Sequence, residues 1–239
     1  MRVSFVIPCH QEAAALDAGL PALLALPADE LVFVDDGSTD GTAARLGAAA
    51  ARDPRVRVVT HATNRGVGAA MRSGFAAARG DVVVAYDADR TYPAADAARL
   101  VEAVLAGADV AAATPFASGG RVETTPLRGV LSRGASLAYR LALGRRAGQV
   151  RTFTGGFRAY RRELLAATPF RSDGFASTAE LLCLLLLGGA RVVEVPIIFR
   201  DRRLGQSKMS RRIIVEALLV VITLRWDELR GRGPARGAR

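Results

Sequence analysis

Two runs of β-forming residues end in carboxylates: Leu31-Val32-Phe33-Val34-Asp35-Asp36-Gly37-Ser38 and Val82-Val83-Val84-Ala85-Tyr86-Asp87-Ala88-Asp89. The residues between them alternate helical and strand patterns, which is typical of a parallel sheet. Ligands of open α/β sheets bind beyond the carboxyl ends of the strands. The two runs therefore predict an α/β fold with an acidic ligand site at one edge of its sheet.

The first half of the chain repeats this alternation of short apolar strands and Ala-rich helices. We predict strands at Val3–Ile7, Leu31–Val34, Val56–Thr60, Val82–Tyr86 and Val110–Ala113, and helices near Glu12–Leu26, 41–51, Ala69–Ala78 and Ala94–Leu105. Asn64-Arg65-Gly66-Val67-Gly68 is a Gly-rich turn that leads into the third helix. One α/β domain with a mostly parallel central sheet follows from this pattern.

The second half has a different pattern. It predicts a loop at Pro115–Thr125, a helix at Leu127–Leu143, a turn and strand within Thr154–Arg161, a helix at Ala176–Leu187, a strand at Arg191–Val195 ended by Pro196, a basic loop at Arg200–Lys208 and an amphipathic helix at Arg211–Trp226. We therefore divide the chain into a catalytic domain at 1–210, a C-terminal amphipathic helix at 211–230 and a disordered basic tail at 231–239.

The composition limits the compartment and the partners. Half of the 239 residues are hydrophobic, and the two cysteines, Cys9 and Cys183, have no disulfide-like spacing. Reduced cysteines and a chain that enters a strand at once, without a signal peptide, predict a cytoplasmic protein. The most apolar segment, Ile213 to Leu224, has about half of the ~20 residues that a membrane span needs, and it contains Glu216.

The formal net charge of +10 has three explanations. Nucleic acid is disfavoured because no interleaved aromatic and basic stripe or nucleic-acid motif is present. An anionic membrane surface or a phosphate-bearing substrate fits better, and a general Arg-rich coding bias is the third explanation. We expect peripheral attachment to the cytoplasmic membrane face through helix Arg211–Trp226, although its apolar side could equally pack on the domain or in a homo-oligomer.

Residues at the ends of the first two strands suit a nucleotide. His10 can stack on a base and Glu12 can accept from its N–H groups, although Glu12 also fits a helix start. Asp35 and Asp36 are expected to point to opposite faces, so that one meets the nucleotide and the other anchors the loop. Asp40 and Thr42 look like turn and helix-capping residues.

Asp87-Ala88-Asp89 is the candidate metal site. If the strand continues through it, the two carboxylates share a face and converge. Hard oxygen ligands suit Mg²⁺ or Mn²⁺, with phosphate oxygens and water completing the shell. The alternative is a solvated turn, but the four β-formers before it and the acidic run upstream favour the metal.

Two further features carry charge. Arg202 and Lys208 flank Gly205 in a loop that can close over a diphosphate, or that is simply solvated. Glu180 lies in a Leu-rich helix, where a carboxylate needs a cleft or a partner. It could act as a general base or organise an acceptor. A structural ion pair with an arginine is an equally favoured interpretation.

These residues together resemble the inverting glycosyltransferases of family 2, and among them the dolichol- and polyprenol-phosphate sugar synthases. The resemblance covers roughly Val3 to Lys208. It rests on Pro8 to Glu12, Asp35-Asp36-Gly37-Ser38, Asn64-Arg65-Gly66, Asp87-Ala88-Asp89, Thr154-Gly155-Gly156-Phe157-Arg158, Glu194-Val195-Pro196 and Arg202 to Lys208. It implies the nucleotide-diphospho-sugar transferase fold, which is GT-A-like.

The resemblance also assigns roles to residues. It implies a base and ribose pocket formed by Pro8, His10, Glu12, Val34 and Asp36, a diphosphate and metal site at Asp87, Ala88 and Asp89, and a phosphate clamp of Arg202 and Lys208. Arg128 and Arg133 are available for an acceptor phosphate.

The chain departs from the family pattern at five positions. The departures are His10 for tyrosine, Gln11 for asparagine, Thr91 for a polar residue that is often glutamine, Pro115 for an arginine and Thr152 for an aspartate. Pro115 and Thr152 bear on the acceptor more than on the donor.

We expect transfer of a sugar from a GDP or UDP sugar to a polyprenyl phosphate, with inversion. An acceptor phosphate is already ionised near neutral pH, so it needs positioning more than a strong base. One alternative is a hydroxyl acceptor with Glu180 as the base. The other is a nucleotide-sugar-binding protein without transfer activity.

Overall fold

The computed structural model describes residues 1–89, 92–123 and 126–200. Its strands are β1 Val3–Cys9, β2 Glu30–Asp36, β3 Val56–His61, β4 Val82–Ala85, β5 Val110–Thr114, β6 Arg121–Glu123, β7 Arg158–Arg161, β8 Val192–Pro196 and β9 Ile198–Arg200. Its helices are α1 Ala13–Leu24, α2 Thr42–Ala50, α3 Val67–Ala77, α4 Ala94–Leu105, α5 Pro126–Leu143, α6 Arg162–Ala167 and α7 Ser177–Leu187, with a 3-10 turn at Gly144–Ala147.

Seven strands form the central sheet in the order β3-β2-β1-β4-β7-β5-β8. Strand β7 runs antiparallel to both of its neighbours, and the other paired strands are parallel. The predicted α/β fold with a mostly parallel sheet is therefore confirmed. A separate two-stranded parallel sheet pairs β6 with β9.

Helices cover both faces of the central sheet, and each face has its own core. Alternate residues of β1 serve opposite faces: Phe5 and Ile7 join the core under α1, α2 and α4, whereas Val6 joins the core under α3, α5 and α7. Because both faces are buried, the strands read as continuous apolar runs in the sequence.

The sequence predicts the limits of most helices and strands closely, but it misses several short elements. Strands β6 and β9 were not predicted, and β6 lies in the expected loop Pro115–Thr125. The short helix α6 was also missed. Pro196 is the last residue of β8 and pairs with Thr114, instead of following the strand. Three-residue strands carry too little periodicity to be recognised locally.

The predicted domain limits near residues 210 and 230, the loop with Arg202 and Lys208, and helix Arg211–Trp226 lie outside the described residues. Among the described residues, we find no helix of sufficient length and apolar character to cross a bilayer.

Helix α3 lies very close to the sheet at Gly74. A Cβ added there would lie 2.3 Å from Val6 Cγ1 and 3.1 Å from Val34 Cγ2, and both valines are fully buried. Gly47 of α2 is the contrast, because nothing lies within 4 Å of its added Cβ. The absence of a side chain at Gly74 thus sets the distance between α3 and strands β1 and β2.

We expect Gly74→Ala to lower the free energy of unfolding by about 1–3 kcal/mol, because the methyl group overpacks a stiff valine. The matched control, Gly47→Ala, should raise it by about 0.5–1 kcal/mol through the loss of helical glycine. Urea unfolding of both variants measures the difference. Equal stabilities for the two variants would contradict the close approach of α3.

Candidate functional site

The carboxyl ends of four neighbouring strands bring the acidic segments together. In the parallel register Cys9 of β1 pairs with Asp35 of β2, and Asp36 pairs with His61 of β3. Strand β4 lies on the other side of β1 and leads directly into Asp87. The predicted edge site is therefore assembled at the position that open α/β sheets use for ligands.

Asp36 is the hub of this edge. Its carboxylate is buried and accepts hydrogen bonds from His61 Nδ1 at 2.6 Å, Arg65 N at 2.9 Å and Gly66 N at 2.8 Å. Its backbone oxygen accepts from His10 Nδ1 at 2.9 Å. Asp36 thus joins the ends of β1, β2 and β3 to the Gly-rich turn before α3. Its contact with a nucleotide remains a prediction.

His61 was not singled out in the sequence, although it occupies the end of the third parallel strand. Its Nδ1 donates to Asp36 Oδ1, and its Nε2 lies 2.9 Å from Ser73 Oγ on α3. A carboxylate can only accept, so Nδ1 carries a proton, and in the neutral ring Ser73 donates to Nε2. Its position in the sequence could have identified it, because His61 ends the strand that is next to the one carrying Asp36.

Asp35 anchors the loop after β2, as expected for one of the two aspartates. Its Oδ1 accepts from Ser38 N at 3.1 Å, and the residue is buried. The neighbouring Cys9 thiol is inert, because burial, assisted by the Glu12 and Asp35 carboxylates, raises its pKa well above the usual range. Cys183 is likewise a buried free thiol.

The loop after β1 is fastened to the loop after β2. Gln11 has a φ of 56° and exchanges two hydrogen bonds with Thr39 through its side-chain amide, at 3.0 and 3.1 Å. Asp40 accepts from Ala13 N at 3.0 Å and from Thr42 N at 3.1 Å. Asp40 thus accepts from the first backbone amides of both α1 and α2, whereas Gly41 is the N-cap residue of α2 and Thr42 is the first residue of that helix.

The residues proposed for the base pocket differ in exposure. Pro8, His10 and Glu12 are half-buried at the edge of the sheet. Val34 is fully buried and packs under α3 with Ala70. A ligand would therefore meet the main chain at Val34 and the side chains at the other positions.

The candidate metal site does not continue the strand, although burial still alternates from Tyr86 to Asp89. Strand β4 ends at Ala85, and Ala88 and Asp89 lie in a turn. Ala88 is buried in the core with Tyr86 and Phe157, whereas Asp87 and Asp89 are half-buried. The carboxylates of Asp87 and Asp89 therefore flank a side chain that belongs to the core, and Oδ2 of Asp89 is itself buried.

This donor set fits a hard divalent cation. Two carboxylates at a strand end supply oxygen ligands, and such ions take further oxygens from phosphate and water. Among the described residues, no group of three or more His, Cys, Asp or Glu side chains could hold a metal ion by itself. The cation would therefore depend on the ligand for part of its shell.

Of the two arginines proposed for the acceptor, the structure describes the side chain of Arg133. Arg133 of α5 stacks over Phe116, with its Cζ 4.9 Å from the ring centroid. The side chain of Arg128 is outside the described residues, as are Arg202 and Lys208. The acceptor role of both arginines remains a prediction.

Among the residues that the structure describes, the partners of Glu180 are backbone amides and not an arginine guanidinium. Its Oε1 accepts from Arg171 N at 3.0 Å and its Oε2 from Ser172 N at 2.8 Å. The next residue, Asp173, accepts from Gly68 N through its backbone oxygen at 2.6 Å. Glu180 thus holds a loop against the start of α3.

Thr152, where the family pattern has an aspartate, lies in a neutral pair. Its hydroxyl bonds to that of Thr114, next to Pro115. Glu194, not singled out as a site residue, accepts from Arg151 N at 2.6 Å and Thr152 N at 3.0 Å, and burial raises its pKa. Arg158, 1% exposed, donates to Phe153 O at 2.7 Å. These partners, local for Arg158 and long-range for Glu194 and Thr114, fix the loop that precedes β7.

The sheet order, the strand-end carboxylates and the sequence define a glycosyltransferase with a GT-A-type fold. The Glycosyl transferase family 2 domain matches residues 4–168, and the chain belongs to this family. An undecaprenyl-phosphate mannosyltransferase of Micrococcus luteus is 36% identical, covering 97% of this chain and 99% of that protein. A polyprenol monophosphomannose synthase of Mycolicibacterium smegmatis is 38% identical, covering 96% and 91%.

Solved structures agree on the architecture. A glucosyl-3-phosphoglycerate synthase of Mycobacterium tuberculosis, crystallised with Mn²⁺, UDP-glucose and phosphoglyceric acid, superimposes with a TM-score of 0.70 at 25% identity. The match covers 92% of this chain and 79% of that one. The fold and the family predicted from the sequence are confirmed.

We expect His61→Ala to lower the free energy of unfolding by about 1–3 kcal/mol, because it leaves the buried Asp36 carboxylate short of a donor. Ser73→Ala removes the outer hydrogen bond alone and should cost about 1 kcal/mol. Thermal and urea unfolding of the two variants gives the order. A His61→Ala protein as stable as the wild type would show that Asp36 does not depend on this histidine.

Proposed function

We propose that this chain transfers a hexose from a nucleoside diphosphate sugar to a polyprenyl phosphate, with inversion at the anomeric carbon. The observation that carries the proposal is the identity of 36–38% to two bacterial polyprenyl-phosphate mannosyltransferases over nearly the whole of both chains. Matches of that length include the acceptor half of the chain as well as the donor half.

The donor would lie across the ends of β1, β2 and β4. Half-buried Pro8, His10 and Glu12 line that edge, and the hydrogen bonds of Asp36 hold it in one shape. A preorganised edge binds a base and ribose without a further cost of ordering the loops. GDP and UDP sugars are both compatible with this edge.

Asp87 and Asp89 would hold Mg²⁺ or Mn²⁺ against the diphosphate. The related synthase whose structure contains Mn²⁺ and UDP-glucose supports this assignment. When bound, such a cation stabilises negative charge on the departing diphosphate. Arg202 and Lys208 would add positive charge at the diphosphate.

The acceptor phosphate needs no strong base. One of its ionised oxygens forms a bond to the anomeric carbon while the bond from that carbon to the diphosphate oxygen breaks, and the nucleoside diphosphate leaves. Arg128 and Arg133 would position the phosphate. Because both oxygens of Glu180 already accept from backbone amides, Glu180 would shape the site through the 171–173 loop and not act as a base.

We expect Asp89→Asn to reduce transfer by about 100-fold or more, since a weaker ligand replaces a carboxylate of the metal site. The control Asp17→Asn removes an exposed carboxylate that pairs with Arg45, and its rate should stay within about two-fold of the wild type. Release of nucleoside diphosphate with Mn²⁺, with and without EDTA, measures both. Full activity in EDTA would overturn the metal assignment.

A hydroxyl acceptor is the rival reaction, and the likeness to a synthase crystallised with phosphoglyceric acid favours testing it. Each GDP or UDP sugar is incubated with a short polyprenyl phosphate in detergent or with phosphoglyceric acid. Product on the lipid phosphate alone supports the proposal. Product on phosphoglyceric acid alone would contradict the proposal and support a hydroxyl acceptor. Donor binding without any product would indicate a nucleotide-sugar-binding protein.

A further inference from the structure

The Asp36 carboxylate retains one acceptor position that the described residues do not use. Its Oδ1 accepts from His61 Nδ1 at 2.6 Å and from Arg65 N at 2.9 Å, and its Oδ2 accepts from Gly66 N at 2.8 Å. An ionised carboxylate offers about four lone-pair positions in all. Three are filled, so Oδ2 can accept one further hydrogen bond from a molecule bound at the edge of the sheet.

His61 holds this carboxylate from the side of the sheet. The other two donors are backbone amides of the Gly-rich turn before α3, whereas the imidazole belongs to β3. His61 Nε2 lies 2.9 Å from Ser73 Oγ on α3, so both ring nitrogens have a partner, and His61 is 8% exposed. An imidazole that is buried and bonded at both nitrogens is held in one orientation. It therefore fixes the direction of the carboxylate.

Packing alone does not require a histidine at this position. Val59 lies two residues earlier on β3, faces the same side of the sheet and packs with Val67 against the core under α3. An apolar residue at position 61 would continue that face. It would also take the imidazole donor away from a buried carboxylate, which is costly. The polar side chain of His61 is therefore explained by Asp36.

We propose that His61 is a positioning residue for the donor nucleotide. It fixes the Asp36 carboxylate so that Oδ2 receives one hydroxyl or N–H group of the nucleoside, and Ser73 fixes the imidazole in turn. His61 acts through Asp36 and needs no contact of its own with the donor. The inference rests on the proposed function in one respect, since it requires a nucleoside diphosphate at the ends of β1 and β2. It does not depend on the acceptor.

Calorimetric titration with GDP and with UDP, each in the presence of Mn²⁺, tests the positioning role. His61→Leu keeps the bulk of the side chain but has no donor, and it should raise the Kd of the nucleoside diphosphate by about ten-fold or more. His61→Asn places an amide N–H near the position of Nδ1, so its Kd should stay within about three-fold of the wild type. Ser73→Ala releases the outer ring nitrogen alone and should raise the Kd about three-fold.

Kinetics and a double-mutant cycle distinguish positioning from a structural role. The contact with the nucleoside is the same before and during the reaction, so His61→Leu should raise the KM for the donor and leave kcat within about two-fold. The matched control is Thr60→Val, which changes an exposed residue on the other face of β3 and should bind like the wild type. If His61 acts through Asp36, His61→Leu should change the Kd of an Asp36→Asn protein by less than about two-fold.

A wild-type Kd for His61→Leu would overturn the inference. Equal losses in His61→Leu and His61→Asn would also overturn it, because the donor to Asp36 would then have no effect on binding. If circular dichroism shows that His61→Leu does not fold, Ser73→Ala decides the matter, and wild-type binding by that protein would contradict the inference.

The wild-type protein separates this inference from the proposed function. If it binds neither GDP nor UDP, both the positioning role and the donor site are wrong. If it binds one of them but transfers no sugar to a lipid phosphate, the proposed function alone is wrong, and the order of the Kd values among the variants still decides the role of His61.

Discussion

A buried carboxylate at the end of a central strand holds this site together. Asp36 receives donors from β3 and from the turn before α3, and its backbone oxygen receives His10 from the end of β1. Burial of a charge is costly unless hydrogen bonds replace its water, and here backbone amides and an imidazole do so. These donors come from separate segments of the chain. The hydrogen bonds that replace the water around Asp36 are therefore all formed only when the edge of the sheet is complete.

The same rule applies to the loops before β7 and α7. Glu180 accepts from the amides of the 171–172 loop, Glu194 accepts from residues 151 and 152, and Arg158 donates to Phe153 O. Each of these charged side chains forms hydrogen bonds with backbone groups of a loop, and those groups have no partners in the sheet. The loops around the site are thereby fixed by buried charges from the scaffold, which is how a mostly irregular rim keeps a defined shape.

The sequence was sufficient for the layered architecture because helix and strand periodicities are local. Strands β1 to β5 and helices α1 to α4 lie within about two residues of their predicted limits, a precision typical of strongly periodic segments. The partners of Asp36 and Glu194 could not be predicted, because they bring together residues far apart in the chain. Those of Glu180 are nearer, but they depend on how the 171–172 loop folds back on α7. His61 shows the difference: its place at a strand end was visible, but its bond to Asp36 depends on the parallel register. The turn at Ala88 shows the converse, since β4 ends at Ala85 although the sequence pattern would have continued the strand.

Strand β7 has a consequence for the order in which the chain can fold. It is the strand that links β3-β2-β1-β4 to β5-β8, and it pairs antiparallel with both β4 and β5. During synthesis the first four strands are complete once Ala85 has emerged, yet the edge of β4 lacks its partner until Arg161 follows. Non-local pairing of this kind slows folding and leaves an open edge that can recruit other chains. The insertion of β7 therefore leaves the edge of β4 dependent on a strand that is synthesised only after α5.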